Sequence, residues 1–456
     1  MGDPAPDRPG PVIATASTTG RRLGVRDVLG VAGPMTLGYL TTPLVGLVAT
    51  GVVGRLGDAV AVGGVALGSV VFDLIFAAFA FLRAGTTGLT AQATGRGDRG
   101  EAEAVLLRAL LVALVGGLAL LALTRPIVDL GLLVVGGEPA VRAATRAYVE
   151  TRLLAAPAIL ANYAIFGWWL GRGRAGLGLV QQTTLNLTNV AAALLMAFHW
   201  REGVVGVAKA SVLAEAVALS LSLVLLLVER RRLGPVKQPR IFDLAAFRAV
   251  AVVNRDLTIR TFALIAAFAF FSRQSAAQGA VVLAANAVLE KFFLTASWFL
   301  DGFAASAETF VGRAVGSGDR AAFDRAVGLT TRLSGLSAAV AATVLALAGP
   351  TLIAAMTTSP EVIEVAVRFL PWVIVTPLAG FLAFQMDGVF IGATWTREMA
   401  RMMLLSLIAG FAAWAALAPL LGNHGLWASF VLFLATRGFT LARVIGRRAA
   451  VVFTAA

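Results

Sequence analysis

Apolar runs of about 20 residues, each long enough to cross a bilayer as a helix, recur along this chain with short polar breaks between them. Twelve spans are predicted. The first six cover 28–54, 59–84, 104–124, 144–170, 177–198 and 204–229; the second six cover 256–273, 279–311, 324–349, 362–391, 399–419 and 425–445. The expected fold class is an all-α polytopic membrane protein. Interior prolines Pro43, Pro157, Pro371 and Pro377 are expected to kink helices rather than end them, because membrane helices re-satisfy the backbone groups a proline frees.

The pattern repeats. Gly95-Arg96-Gly97-Asp98-Arg99 returns as Gly316-Ser317-Gly318-Asp319-Arg320, 221 positions on, and Pro139, Gly167 and Gly171 return at that offset as Pro360, Gly388 and Gly392. A fixed period of this kind reads as two copies of one unit. The expected organisation is an N-terminal six-helix bundle over 26–229 and a C-terminal six-helix bundle over 254–456. A basic linker, 230–253, joins them, and a disordered tail, 1–25, precedes them. The tail is rich in Pro, Thr and Ala and shows no apolar core of a signal peptide.

Composition sharpens this reading. The hydrophobic fraction is 58% and the charged fraction 14%, against roughly 25% charged in a soluble domain. The net charge of +13 would indicate nucleic acid in a soluble chain, but the basic residues gather in alternate loops and no nucleic-acid partner is expected. One side holds Arg21, Arg22, Arg96, Arg99, Arg172, Arg174, the Arg230 cluster, Arg313, Arg320, Arg397, Arg447 and Arg448. The other holds Arg55, Arg142, Arg146, Arg201, Arg273 and Arg368. The positive-inside rule makes both termini cytoplasmic. Six spans per unit bring both units in from one side, as parallel repeats with a substrate site between them.

Several chemistries fall away. Cysteine is absent, which removes thiolate catalysis and Cys-ligated metals. His199 and His424 stand far apart in sequence, so no metal or cofactor is expected. Gly171-Arg172-Gly173-Arg174-Ala175-Gly176 spells a dinucleotide fingerprint but joins two membrane spans instead of opening the helix of a βαβ unit, and reads as a tight turn. With no nucleophile–base pair, the chain is not expected to be an enzyme.

Ionisable residues inside spans are costly and mark function by default. In the eighth span Glu290, Asp301 and Glu308 lie 11 and 18 residues apart, offsets that return to nearly one helical face. Lys291 adjoins Glu290. Asp387 lies in the inner half of the tenth span. Arg255 and Arg260, at the start of the seventh, are expected at the depth of Glu308 and could pair with it. Such acids either hold helices together as satisfied pairs or exchange protons, since a carboxyl group taken out of water can do so near neutrality. In the first half, Asn186 and Asn189 share a face of the fifth span that carries no acid. Lys209, followed by Ser211, lies in the sixth span, where it either lines a polar cavity or snorkels to the interface.

Longer motifs carry a resemblance. They are Thr42-Pro43-Leu44-Val45-Gly46-Leu47-Val48, the run Phe81-Leu82-Arg83-Ala84-Gly85-Thr86-Thr87-Gly88, and Asn254-Arg255-Asp256. Others are Ala285-Asn286-Ala287-Val288-Leu289, Leu300-Asp301-Gly302-Phe303-Ala304 and Met386-Asp387-Gly388-Val389-Phe390-Ile391-Gly392. On these the chain resembles the multidrug and toxic compound extrusion (MATE) family, in its DinF-type branch. The resemblance implies two six-helix bundles around a V-shaped cavity and export of organic cations and drugs in exchange for H⁺ or Na⁺. It implies coupling acids at Asp301 and Asp387 and a fifth-span asparagine at Asn189. Two family carboxylates are missing, falling on Ala49 and Ala193.

The expectation is therefore a secondary antiporter with its coupling moved to the C-terminal bundle, at Asp387, Asp301, Glu290 and Glu308. Substrate contacts are expected at Asn186, Asn189, Lys209, Ser211, Thr50 and Asn286. Its partners would be a small-molecule substrate and membrane lipid, and the internal duplication suits a monomer. The alternative is a flippase or exporter of anionic or lipid-linked metabolites centred on Lys209. The Ala-, Gly-, Arg- and Val-rich composition fits a high-GC bacterium and its plasma membrane.

Overall fold

The computed structural model describes residues 22–55, 58–200, 202–234 and 242–454, which are helical apart from short connections, with no strand among them. In chain order the first half contains α1 (Val25–Gly54), α2 (Ala59–Ala77), α3 (Ala80–Gly95), α4 (Arg99–Ala122), α5 (Thr124–Val135), α6 (Pro139–Leu153), α7 (Ala156–Gly171), α8 (Ala175–Leu194) and α9 (Gly203–Leu233). The second half contains α10 (Leu244–Ala277), α11 (Ala280–Gly316), α12 (Arg320–Met356), α13 (Pro360–Gly392), α14 (Thr396–Leu421) and α15 (Asn423–Thr454).

With α2–α3 and α6–α7 each taken as one span and the short α5 set aside, these make twelve. Eight segments are long and apolar enough to cross a membrane by length and hydropathy alone, and the α6–α7 pair, bent by 54°, makes nine. The remaining three, α1, α8 and α10, complete the count; α8 and α10 are diluted by the polar residues taken up below.

The 221-residue echo is written into the helix ends. Starts at Ala59, Pro139 and Ala175 recur at Ala280, Pro360 and Thr396, and ends at Gly95 and Gly171 recur at Gly316 and Gly392. The Gly-Asp-Arg motif does the same work in both copies. Gly97 and Gly318 take φ of +72° and +68°, a region open to glycine at little cost. Asp98 and Asp319 then cap the next helix, accepting from the backbone amides of Glu101 (2.9 Å) and Ala322 (2.8 Å), donors a helix start cannot satisfy internally.

Each half closes on its own core. Phe72, Phe76, Val65, Leu153 and Leu160 fill the first. Aromatic rings dominate the second, with Phe271 and Trp427 at 4.8 Å and Phe293 and Phe430 at 5.2 Å. Between the halves, α2 packs on α1, α5, α6 and α9 of its own bundle, whereas its continuation α3 packs on α10, α11 and α13 of the other. The bundles thus meet through the half that carries the described ends of the chain and form a V. Small residues permit the approach: a Cβ at Gly88 or Gly316 would strike the carbonyl of Ile391 or Gln92, the close backbone packing typical of membrane helices.

Two expectations are corrected, and one short helix lies outside the expected spans. The linker is shorter than 230–253, because α9 runs on to Leu233 and α10 begins at Leu244. Pro157 does not merely kink its span: α6 stops at Leu153 and α7 restarts at Ala156. The short helix α5 was not expected. Its Val128 and Leu132, one turn apart, are buried while Leu130, Leu133 and Val134 are exposed, the profile of an interfacial helix. The tail expectation falls largely on residues 1–21, outside the described residues.

Candidate substrate and coupling site

Where the bundles diverge, a cavity of about 270 Å³ is lined by Tyr39 of α1, Arg83 of α3, Arg260 of α10, Asp301 and Glu308 of α11 and Asp387 of α13. Asp301 and Glu308 are seven residues apart, two helical turns, so α11 presents both on one face. The flat α3–α11 contact, built on small residues, brings Arg83 across from the other bundle.

The ion pairs divide the three acids. Glu308 stands 3.5 Å from Arg83, a contact between the two bundles. Asp387 is held by two guanidiniums, Arg260 and Arg437 of α15, within its own bundle. Asp301 makes no ion pair among the described residues, yet stands in the field of Arg83, Arg260 and Arg437. Arginine suits this role, since its planar fork stays charged and offers several donors in fixed geometry. The expected partner of Glu308 is therefore corrected. Arg260 goes to Asp387, and Arg255 to its neighbour Asp256 at 2.8 Å, leaving Glu308 to an arginine the loop-charge reading did not consider.

Asp301, Glu308 and Asp387 are thus brought together as expected. Glu290 is not: it lies three turns further along α11, about 16 Å from Asp301 at 1.5 Å per residue, half-buried beside Lys291. Asn286 is corrected outright. Its amide donates to Ser275 (2.7 Å) and Asn423 (2.8 Å), and its Oδ1 accepts from Asn423 (3.0 Å) and Trp427 (3.0 Å). With those bonds made it ties α10, α11 and α15 and has no donor left for a ligand.

In the N-terminal bundle, Asn189 donates to Ser211 at 2.9 Å and Asn186 to Thr41 at 2.6 Å. Lys209 is not with them. It is exposed and reaches Glu202 at 3.0 Å, because two residues separate it from Ser211 and about 200° of helix turn them apart. Thr50 and Ala49 lie in α1, but their side chains are outside the described residues. The bundle does carry an acid on another helix. Asn162 of α7 donates to the Glu215 carboxylate of α9 at 2.8 Å and accepts from Gln181 of α8 at 2.9 Å.

Arg83, Arg437, Glu215 and Asn162 were missed by sequence reasoning. Each lies inside or at the edge of an expected span, so the rule that singled out the acids, taken to both signs and both halves, points to Arg83, Arg437 and Glu215; the uncharged Asn162 carries no such signal.

A family model described as MatE matches residues 34–195 and 259–413. DNA damage-inducible protein F of Escherichia coli (strain K12) is 35% identical over 416 residues, 91% of this chain and 90% of that protein. The chain belongs to the MatE family. A probable multidrug resistance protein, NorM, of Rhizobium meliloti (strain 1021) is 29% identical over 413 residues, 85% and 86% of the two chains. Solved structures agree in fold. A MATE in complex with MaL6 superposes with a TM-score of 0.86 at 18% identity, covering 94% of this chain and 96% of the other. A MOP superfamily transporter from Pyrococcus furiosus does so with a TM-score of 0.83 at 17% identity, with the same coverage. This MatE chain is a multi-pass membrane transporter and not an enzyme.

Proposed function

We propose that the protein is a secondary active multidrug efflux antiporter of a bacterial plasma membrane, exporting organic compounds in exchange for H⁺ by alternating access. Coupling would reside in the C-terminal bundle. The observation that carries this reading is Asp301, a carboxylate without a direct ion pair in a cavity between two bundles that meet at one end only. A cationic group of the substrate and a proton compete for that carboxylate, so loading one releases the other; each shifts the transporter only by its differential affinity for the two bundle arrangements. H⁺ suits the site better than Na⁺, because a proton needs one oxygen whereas a metal cation needs several, and Asp301 is the only cavity carboxylate without an ion pair among the described residues.

Asp387, clamped by two arginines, reads as an anchor more than a titrating group. The Arg83–Glu308 contact must part for the bundles to exchange their open end. With both termini cytoplasmic, as the loop charges support, the V opens outward. The exporter of anionic metabolites centred on Lys209 loses its support, since Lys209 is spent on Glu202 outside the cavity.

The test is efflux of a fluorescent cation from proteoliposomes under an imposed pH gradient, an imposed Na⁺ gradient, or neither. Proton-driven efflux in wild type that is lost in Asp301→Asn is the expected result. Efflux that ignores the pH gradient, or survives Asp301→Asn with its coupling intact, would overturn the proposal.

A further inference from the structure

The carboxylates of this cavity stand behind its arginines. The Arg83 side chain is 30% exposed and its partner Glu308 4%; Arg260 is 21% exposed and its partner Asp387 7%. What a ligand meets first is therefore guanidinium, contributed by both bundles, with Asp301 as the one unpaired carboxylate. Arg83 and Arg260 line the same space and feel each other's positive charge, an arrangement that favours an anion between them.

The hydrogen-bond inventory points the same way. Among the described residues Arg260 Nε is buried and has no acceptor and Asp387 Oδ1 is buried and has no donor, while Arg83 Nη1 and Glu308 Oε2 face each other at 3.5 Å without hydrogen-bond geometry. Buried polar atoms are satisfied in the large majority of cases, and each exception calls for a reason. Here the side chains that carry these atoms all line one cavity. A purely cationic ligand would leave the guanidinium donors unmatched and be repelled by them at contact distance. A purely anionic one would leave the acceptors and Asp301 without a partner.

We propose that Arg83 and Arg260 form a subsite for an anionic group, and that the preferred substrates are zwitterions carrying a carboxylate, sulfonate or phosphate beside the cationic group that faces Asp301. The inference rests on the reading of this cavity as the substrate site and names the class of compound it takes. The cationic end still competes with the proton at Asp301, so exchange is preserved; the anionic end supplies selection. A cavity of about 270 Å³, just under the usual size of small-molecule pockets, holds the charged end of such a compound and leaves its apolar part in the V.

A matched pair of dyes tests this. Rhodamine 110 has a free carboxylate; rhodamine 123 is its methyl ester, with the same xanthylium cation. Their binding to the full-length protein in lipid nanodiscs would be followed by fluorescence anisotropy with no gradient present. Rhodamine 110 is expected to bind at least about tenfold tighter, the scale of one charge-assisted hydrogen bond. Arg83→Gln is expected to erase the preference and Arg83→Lys to keep part of it, with size-exclusion profiles confirming folded protein. On wild type alone, toluenesulfonate is expected to displace rhodamine 110 but not rhodamine 123.

Equal or tighter binding of the ester, no binding of either dye, or a preference unchanged in both Arg83→Gln and Arg260→Gln would overturn the subsite. The same protein in proteoliposomes separates this from the functional reading. Proton-driven transport without a carboxylate preference sinks the subsite alone, and a carboxylate preference without proton-driven transport sinks the coupling alone.

Discussion

The two bundles share one plan and spend their polar residues differently. Helix ends in the first recur 221 residues later in the second, so the backbone was copied. The interior was not. The C-terminal bundle holds Asp387 against arginines in the cavity, with Asp301 unpaired in the same field, whereas the N-terminal bundle holds Glu215 through the amide of Asn162, itself bonded by Gln181, and pairs its buried Glu229 with Arg172 and Arg174 only near the end of α9. Taking a charge out of water is expensive, and partners of opposite charge offset more of that cost than a neutral amide does. The difference teaches that duplication sets where helices run while the charged residues, free to diverge, decide which bundle does the coupling.

The comparison breaks most sharply on transport. Asp301→Asn is expected to remove proton coupling, a loss of about 5- to 150-fold if the coupling free energy is of ordinary size, while Glu215→Gln leaves proton-driven efflux near wild type. Efflux against a pH gradient in proteoliposomes reads both. If Glu215→Gln is the damaging change, the coupling bundle has been misassigned.

Stability sharpens it next. Arg437 is almost wholly buried and shares Asp387 with Arg260, so Arg437→Met leaves a buried carboxylate with one partner in place of two. The cost of uncoupling a buried ion pair is about 3–5 kcal/mol, and Arg260 should reduce it toward the lower end. The double change Arg437→Met with Asp387→Asn is expected to recover part of the loss. In the other bundle Asn162→Ala leaves the Glu215 carboxylate and the Gln181 amide without that partner and should cost about 1–3 kcal/mol, the scale of an unmatched polar group. Denaturant titration in detergent measures all three. A larger loss from Asn162→Ala than from Arg437→Met would reverse the contrast.

Much of the site was legible because a carboxylate in an apolar run announces itself: Asp301, Glu308 and Asp387 stood out in spans that contain few other charges. Arginine does not announce itself equally when it is also the marker of cytoplasmic loops. Arg83 sits near the end of its expected span and Arg437 within another, and neither was weighed. Lys209 shows a second limit, of nearness in sequence as a guide: two positions on a helix lie about 200° apart, so its spacing from Ser211 already turned the two to different faces. Asn286 shows a third. The groups that satisfy it, Ser275, Asn423 and Trp427, come from α10 and α15, and no local pattern brings distant helices to one amide. Spans and the repeat, by contrast, follow from local hydropathy and turn chemistry, which the chain spells out directly.

The smallest effect expected concerns how each bundle treats a proline in its fourth span. Pro377 removes the amide that would bond the Val373 carbonyl, yet α13 runs unbroken past it. Thr376 explains this: its hydroxyl donates to that same carbonyl at 2.7 Å, so the freed acceptor is satisfied without breaking the helix, as membrane helices require. In the first bundle Pro157 frees the Leu153 carbonyl, the neighbouring positions are Ala155 and Ala156, which have no hydroxyl, and the span breaks with a 54° bend. Thr376→Val keeps the shape and removes the donor. It should cost about 1 kcal/mol and let α13 bend toward the geometry of α6–α7. Thermal denaturation and the distance between spin labels at the two ends of α13 measure this. A variant with unchanged stability and an unchanged distance would mean that packing, not the hydroxyl, keeps α13 unbroken, and the two bundles would then differ in their surroundings instead of in this side chain.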